Sequence, residues 1–245
     1  MSDLKVVLWN CGGLKATTIT TPQKMGTFDM NFSNASFDIA AFVETHHKDE
    51  SEFPELIREY QVSHTCLHTP ATPDDKYAGI IILIRKRFLI HNPKVLISGR
   101  LIHFSLELPQ ENICYSISVF YGQNKIHQTQ VTKNLRNFRS KHNIEDNNII
   151  FGDFNFCEQV IDRQTNLHTY DRMWGQPWEE FCSDLDLIDS YRLQYPKRKI
   201  YSFVSNRGKS RIDRLYVSND IAHHIVNTQY TLTAHPQAHK LLSFT

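Results

Sequence analysis

Short apolar runs, each closed by a turn residue or a single polar group, recur along the whole chain. Residues 5–10 (KVVLWN) stop at Gly12-Gly13 and read as a buried strand. Residues 37–44 (FDIAAFVE) and 148–153 (NIIFGD) read the same way, and each ends in a carboxylate. Residues 77–85 (YAGIIILIR) are β-branched enough for a central strand. Ile102, Phe104, Leu106 and Leu108 alternate with His103, Ser105 and Glu107, which predicts a strand with one wet face. The alternation returns at Ile113, Tyr115, Ile117, Val119 and Tyr121. Further strands are expected at 213–217, 228–233 and 240–244. Residues 53–60 (FPELIREY) predict a short helix. Val131, Leu135, Phe138 and His142 keep helical spacing among polar neighbours, as a surface helix does. Pro177 followed by Trp178, Phe181 and Leu185 predicts a helix with proline in its first turn. The elements mix without strict βαβ alternation, and neighbouring strands read as antiparallel meanders. The expected class is α/β: two mixed sheets packed face to face with helices outside. No internal repeat or low-complexity linker divides the chain, so one domain over residues 1–245 is expected.

Polar residues close several of these strands: Asn10, Glu44, Tyr121, Asp153 and Asn155. Strand ends are rigid and still reach solvent, which suits a catalytic constellation. A strand-terminal Asp or Asn taken singly is more often a turn residue. Gly152-Asp153-Phe154-Asn155 is sharper, because an acid and an amide two residues apart can share one side of an extended segment. An Asx-turn is the plain alternative. Ser210-Arg211-Ile212-Asp213-Arg214 feeds another apolar strand and, read plainly, is a solvated edge with a weak surface ion pair.

Lys and Arg number 27 against 26 Asp and Glu, a net charge of +1. That excludes a globally basic nucleic-acid coat, so any polyanion must meet a local patch. Five cysteines, at 11, 66, 114, 157 and 182, contain no CxxC pair, which argues against a disulfide scaffold or zinc knuckle and suits a reducing compartment. No apolar run approaches the roughly 20 residues of a membrane span. The start, MSDLK, lacks the apolar stretch of a signal peptide. Among thirteen histidines the pairs 46–47 and 223–224 are adjacent, not at zinc-ligand helical spacing, and read as surface residues.

The order of motifs resembles the endonuclease/exonuclease/phosphatase superfamily, which includes exonuclease III-like abasic-site nucleases and deoxyribonuclease I. The pieces are WNCGGL at 9–14, FVETHH at 42–47, YAGIIILIRK at 77–86, SVFYGQN at 118–124, GDFN at 152–155, SRID at 210–213 and His239 before an apolar stretch. They span nearly the whole chain. Within the superfamily the chain looks most like the endonuclease domain of LINE-type (non-LTR) retrotransposons. Asp162-Arg163 lies shortly after GDFN, YSFVS at 201–205 precedes SRID, and the chain stops soon after His239. The resemblance implies a four-layered α-β-β-α sandwich. It also implies an excised domain whose natural partner is the reverse transcriptase of the same polyprotein. No membrane is involved, the isolated domain is expected to be monomeric, and the location is expected to be nuclear because the implied substrate is chromosomal double-stranded DNA.

Phosphodiester cleavage needs a cation on the phosphoryl oxygens, an oriented water and donors for developing charge. The resemblance assigns Glu44 as the main ligand of Mg²⁺, or of Mn²⁺ in its place, with Asn10 helping to hold the metal or the phosphate. Asp153 would hold or deprotonate the attacking water. Asn155 would orient Asp153 or donate to the phosphate. Tyr121 would donate to the phosphate or the leaving group, His239 would contact the scissile phosphate, and Asp213 would support the site through hydrogen bonds. The implied products are a 5′ phosphate and a 3′ hydroxyl that primes reverse transcription.

One position departs from the family's Ser-Asp-His ending: the chain reads Gln237-Ala238-His239. The absent Asp is expected to be the acid that orients the histidine, so Ala238 is expected to impair catalysis. An engineered Asp→Ala change and a naturally impaired domain both account for it, and the presence of the other signature residues favours the first. His235 is the alternative histidine; Leu241, Leu242 and Phe244 favour His239.

For DNA contact the candidates are Arg163, Ser202, Arg207, Lys209 and Arg211, with Arg207-Gly208-Lys209 expected at the tip of a DNA-facing hairpin. Arg85-Lys86-Arg87 and Lys197-Arg198-Lys199 are basic too, though such runs are mostly solvated faces. The competing functions are an abasic-site repair nuclease, a lipid or inositol phosphatase, and a DNA-binding module without catalysis.

Overall fold

The structure, a computed structural model, describes residues 4–14, 32, 37–122, 137, 147–233 and 239–245. The expected helix through Val131 and His142, together with Gln123, Asn124 and Ala238, lies outside those residues. One six-stranded sheet contains β1 (Val6–Asn10), β2 (Ile39–Val43), β3 (His64–Thr69), β4 (Ile80–Arg85), β13 (Thr228–Thr231) and β14 (Leu241–Phe244), in the order β13-β14-β1-β2-β4-β3. The other contains β5 (Leu89–Ile97), β6 (Leu101–Leu108), β7 (Ile113–Tyr121), β8 (Asn148–Asp153), β9 (Leu187–Asp189) and β12 (Asp213–Ser218), in the order β5-β6-β7-β8-β12-β9. β10 (Phe203–Ser205) and β11 (Gly208–Ser210) form a separate hairpin. The helices are α1 (Glu55–Tyr60), α2 (Thr169–Asp184) and α3 (Ser190–Gln194).

Side-chain alternation explains the layers. Along β4, Ile80, Ile82 and Ile84 enter the core between the sheets, where Ile102, Phe104, Val119 and Phe151 of the second sheet meet them. Ile81 and Leu83 point the other way, into a cluster with Phe42, Phe53 and Ile57 of α1. On the second sheet's outer face Ile150 and Tyr216 pack with Trp178 and Phe181 of α2. Both faces of the central strands are therefore dry, and their sequences are continuous apolar runs. The expected α-β-β-α sandwich of two mixed sheets is the observed one. Among the described residues no helix is long and apolar enough to cross a membrane.

Three local expectations change. Pro177 lies inside α2, which begins at Thr169 with a reciprocal His168–Asp171 cap. Ahead of the proline, Tyr170, Met173 and Trp174 already keep the helical spacing that continues at Trp178, so the helix begins two turns earlier than Pro177 alone suggests. His103 is buried and bonded to Ser118 Oγ at 2.9 Å, so the polar face of β6 is not wet there. β3 and the largely exposed edge strand β5 are additions to the expected strands, because edge strands need little apolar patterning.

The pairing gathers one rim. β1 runs parallel to β2, and β7 runs parallel to β8. β14 and β12 run antiparallel to β1 and β8. The C-terminal ends of the first four therefore meet the N-terminal ends of the last two. Asp213 sits directly across from Asp153, and Tyr121 lies across from Asp153 on the other side.

The β7–β8 contact leaves no room for a side chain at Gly152, where a Cβ would stand 1.8 Å from the Phe120 carbonyl oxygen. A Cβ on Gly175, inside α2, would meet nothing within 4 Å. Gly152→Ala should therefore destabilise the fold by about 2 kcal/mol or more. Gly175→Ala should stabilise it by about 0.5–1 kcal/mol. Thermal or urea unfolding of the two variants checks the opposite signs.

Candidate functional site

Asn10 closes β1 and joins the two sheets. Its side-chain nitrogen donates to Glu44 Oε2 at 2.9 Å and to Asp153 Oδ2 at 2.8 Å. Its amide oxygen accepts the Gly12 N–H at 3.1 Å. Asn10, expected to help hold a metal or the phosphate, here gives its N–H donors to two acids, while its oxygen accepts the Gly12 N–H.

Glu44 follows β2 in the left-handed region with φ 59°, and His46 repeats this at φ 60°. Non-glycine residues there are strained, and such strain clusters at functional sites. The loop is held by Gly13 N–H donating to the Glu44 carbonyl at 2.7 Å and His46 N–H donating to the Ala78 carbonyl at 2.9 Å. Burial alone would raise the Glu44 carboxyl, but hydrogen bonds from His46, Asn10 and Tyr121 outweigh it and hold it below the usual carboxylate range. The reading of the 46–47 pair as surface residues is corrected. His47 is buried and bonded to Thr45 Oγ1 at 2.6 Å, and His46 Nε2 lies 3.5 Å from Glu44.

Asp153 is fully buried at the end of β8. Besides Asn10 it accepts the Asn155 backbone N–H at 2.8 Å, so the Asx-turn is present. Asn155 adopts φ 56° rather than the extended form, and its side-chain amide donates to the Gly122 carbonyl at 2.9 Å. Arg100, which no sequence motif marks, donates to the same carbonyl at 2.8 Å and lies 4.2 Å over the Tyr121 ring. Burial, then the Glu44 and Asp153 charges, pushes the Tyr121 hydroxyl far above its ordinary range, so it stays a proton donor.

His239 completes the rim. Its Nδ1 donates to Asp213 at 2.8 Å, and its Nε2 lies 3.8 Å from Asp153 Oδ2. The expectation that the histidine has lost its orienting acid with Ala238 is corrected: Asp213 supplies it from the start of β12. Burial disfavours the imidazolium, but the charges of Asp213 and Asp153 win, and the ring is pushed up to about 9. Burial, together with Asp213, pushes Asp153 up to about 7, against the pull of His239 and the bonds from Asn10 and Asn155.

One ligand atom from each of Asp153, Asp213 and His239 lies within 4.8 Å of the others. Glu44, through Asn10, faces the same space with its side chain about a quarter exposed, at 26%. Three acids against one imidazole leave an excess of negative charge. Hard oxygen donors with access to water suit a divalent cation of the magnesium kind. The donor set therefore fits such an ion.

Two residues expected to meet DNA do not face outward. Arg211 is 0% exposed: its Nε and Nη2 donate to Asp162 at 2.7 and 3.0 Å, and Nη2 donates to Asp189 at 2.6 Å. Arg192 also donates to Asp162. An internal network of two arginines and two acids thus ties the 160–162 turn, α3 and the segment before Asp213. Ser202 is also 0% exposed, and its Oγ accepts the N–H groups of Ile212 and Asp213, both at 3.0 Å. Arg163 is mostly buried against Asp171 at 2.8 Å and lines an open cleft with Lys199. Arg207 and Lys209 are exposed. The hairpin tip is Asn206-Arg207, with Gly208 opening the return strand. Arg85 and Arg87 lie beside Asp38, which precedes β2, at the opposite end of the sheet from Glu44.

The titration follows from this geometry. The stabilisation from protonated His239 is complete below its ordinary value of 6.5 and is lost as pH rises through about 9. In metal-free protein the His239 ring should titrate near 9, and Asp213→Asn should move it downward. Histidine ring NMR across pH checks both.

A family model described as the Endonuclease/Exonuclease/phosphatase family matches residues 7–231. Among solved structures the chain is similar to the AP endonuclease LMAP from Leishmania major, at 17% identity and TM-score 0.73, over 98% of this chain and 86% of that one. It is similar to the endonuclease domain of TRAS1, a telomere-specific non-LTR retrotransposon, at 12% identity and TM-score 0.71, over 99% of this chain and 98% of that one. It is similar to the 3′-5′ exonuclease NExo from Neisseria meningitidis, at 18% identity and TM-score 0.70, over 99% of both chains. At such identities these likenesses speak for the fold. The family match runs from β1 into β13 and takes in all the rim residues but His239, so the chain belongs to the endonuclease/exonuclease/phosphatase family.

Proposed function

We propose that the chain is a Mg²⁺-dependent DNA endonuclease that nicks one strand and leaves a 5′ phosphate and a 3′ hydroxyl for target-primed reverse transcription. The observation that carries the reading is the meeting of Glu44, Asp153, Asp213 and His239 at one rim, with Asn10 bridging two of the acids. The likeness to the TRAS1 endonuclease domain supports a retrotransposon setting. In this reading the domain belongs to a larger polyprotein with a reverse transcriptase, acts in the nucleus and is monomeric when isolated.

In this reading Glu44 would hold the cation, which would supply positive charge to the phosphoryl oxygens. Asp153 orients the attacking water and accepts its proton as the oxygen bonds to phosphorus and the bond from phosphorus to the 3′ oxygen breaks. His239, charged and aligned by Asp213, presents its Nε2–H to a phosphoryl oxygen. Tyr121 donates to the phosphate or the departing 3′ oxygen. Asn155 acts on Asp153 through its backbone N–H. Arg207 and Lys209 hold the DNA backbone; Arg163 and Lys199 extend that surface.

The histidine keeps its acid, so the chain with Ala238 should nick supercoiled plasmid in Mg²⁺. Glu44→Gln should lower the rate at least 100-fold and abolish the rise in melting temperature that Mg²⁺ produces. No nicking by this chain or by Ala238→Asp would overturn the reading. Faster cleavage of abasic than intact duplex would favour the repair alternative, in keeping with the AP endonuclease likeness. Binding without cleavage by both chains would leave a DNA-binding module.

Replacing Arg207 and Lys209 together by Ala should weaken DNA binding and reduce the slope of log affinity against log salt by about 2. Fluorescence anisotropy over a salt series reads both.

A further inference from the structure

The root of the β10–β11 hairpin touches both members of the Asp213–His239 pair. Ser202 Oγ accepts the Asp213 N–H, and the Ser202 carbonyl accepts the Lys240 N–H at 2.7 Å. Phe203, the next residue, forms an antiparallel bridge with His239. Its ring lies on the imidazole, with centroids 4.7 Å apart and planes at 42°. Two consecutive residues thus hold the backbone beside the acid, the backbone beside the histidine and, through a tilted ring contact, the histidine ring itself. The other leg of the hairpin is tied at Ser210 to Arg163 and at the Lys209 carbonyl to the Gln164 N–H, 2.9 Å away. The tip, Asn206-Arg207, is exposed.

An imidazole turns about χ2 in a broad two-fold well. The bond from Nδ1 to Asp213 pins one edge of the ring, and rotation about that bond still swings Nε2. A bulky ring packed in tilted contact with the imidazole restricts that freedom. An aromatic face also favours the charged imidazole, since its quadrupole attracts cations. The Asp213 carboxylate and the Phe203 ring therefore restrain His239 in two different directions.

We propose that Phe203 is a positioning residue that fixes the plane of His239, and that through it the hairpin couples DNA contact at the tip to the alignment of the Asp213–His239 pair. This rests on the nuclease reading for its kinetic consequences only. Phe203 reaches the reacting atoms through His239, so its removal lowers turnover more than it weakens substrate capture. Among the described residues the hairpin pairs with neither six-stranded sheet. Its tilt is set by its two roots and by whatever the tip holds.

The test uses Phe203→Ala, Phe203→Leu and Phe203→Tyr in the whole chain, with folding checked by thermal melts. For Phe203→Ala the expected result is a fall in kcat of tenfold or more with KM within twofold. Phe203→Tyr should restore kcat to within threefold. Phe203→Leu, which fills the space without a flat face, should stay low and keeps the test open if the Ala variant fails to fold. The second readout is independent of cleavage: nitrogen-15 NMR of the histidine rings in metal-free protein, with His239 assigned by its loss in His239→Gln. The parent should show one ring state for His239 with Nδ1 protonated, and Phe203→Ala or Phe203→Leu should show a broadened or averaged one. A higher KM at unchanged kcat would mean that the ring meets DNA directly and would overturn the proposal. An unaltered His239 ring signal in both variants would overturn it too. If the parent cleaves no DNA, the nuclease reading falls while the ring spectra still decide this inference.

Discussion

Two buried carboxylates share one imidazole, and much of the rim is organised around that fact. Asp153 and Asp213 face each other across β8 and β12, and His239 lies against both. A buried charge without a partner costs several kcal/mol. The histidine is the counter-charge, and it stands just before β14 of the other sheet. The two sheets therefore have to meet at this rim as well as through their apolar faces. Asn10 makes a second crossing, from β1 to Asp153. The polar end of the sandwich is held by these few directional bonds, while its interior is held by non-directional packing of isoleucine, valine and phenylalanine.

Behind the rim lies a second charged layer with a different purpose. Arg211, Arg192, Asp162 and Asp189 are all buried and pair with one another, although Arg211 Nη1 and Arg192 Nε meet no acceptor among the described residues. Arg214 sits nearby between Phe154 and Phe156, with Glu158 3.1 Å away. Such pairs add little net stability compared with a well-packed apolar group, but breaking one partner leaves the other stranded. Their effect is to fix geometry. Arg211 is two residues from Asp213, and its partners set the path of the chain into β12. A planar guanidinium that engages two acids at once does this better than an ammonium could.

Much of the fold is legible in the sequence because the central strands are dry on both faces. Runs such as IIILIR and NIIFGD are too short and too apolar for a surface helix, and the polar residue closing each run marks the rim. Edge strands escape this pattern because β5 is mostly exposed and β3 only half-buried. The motifs place Asn10, Glu44, Tyr121, Asp153, Asp213 and His239, but not who bonds to whom. The acid beside His239 comes from 26 positions away, whereas proximity in the chain points to position 238. Arg211 stands in a run that reads as a surface charge cluster, and only its three-dimensional partners, 49 and 22 positions away, account for its burial. Arg100 and Ser202 act on backbone groups, an interaction that leaves little trace in residue type.

The β10–β11 hairpin stands apart from both sheets, anchored at its base and open at its end. Lengthening a surface loop adds only slowly to its closure entropy. New residues inserted between Ser205 and Gly208 would therefore be tolerated by the sandwich while they alter the shape of its exposed tip. The same sandwich can therefore carry tips of different length and shape without rebuilding its core, much as an antibody domain varies its loops.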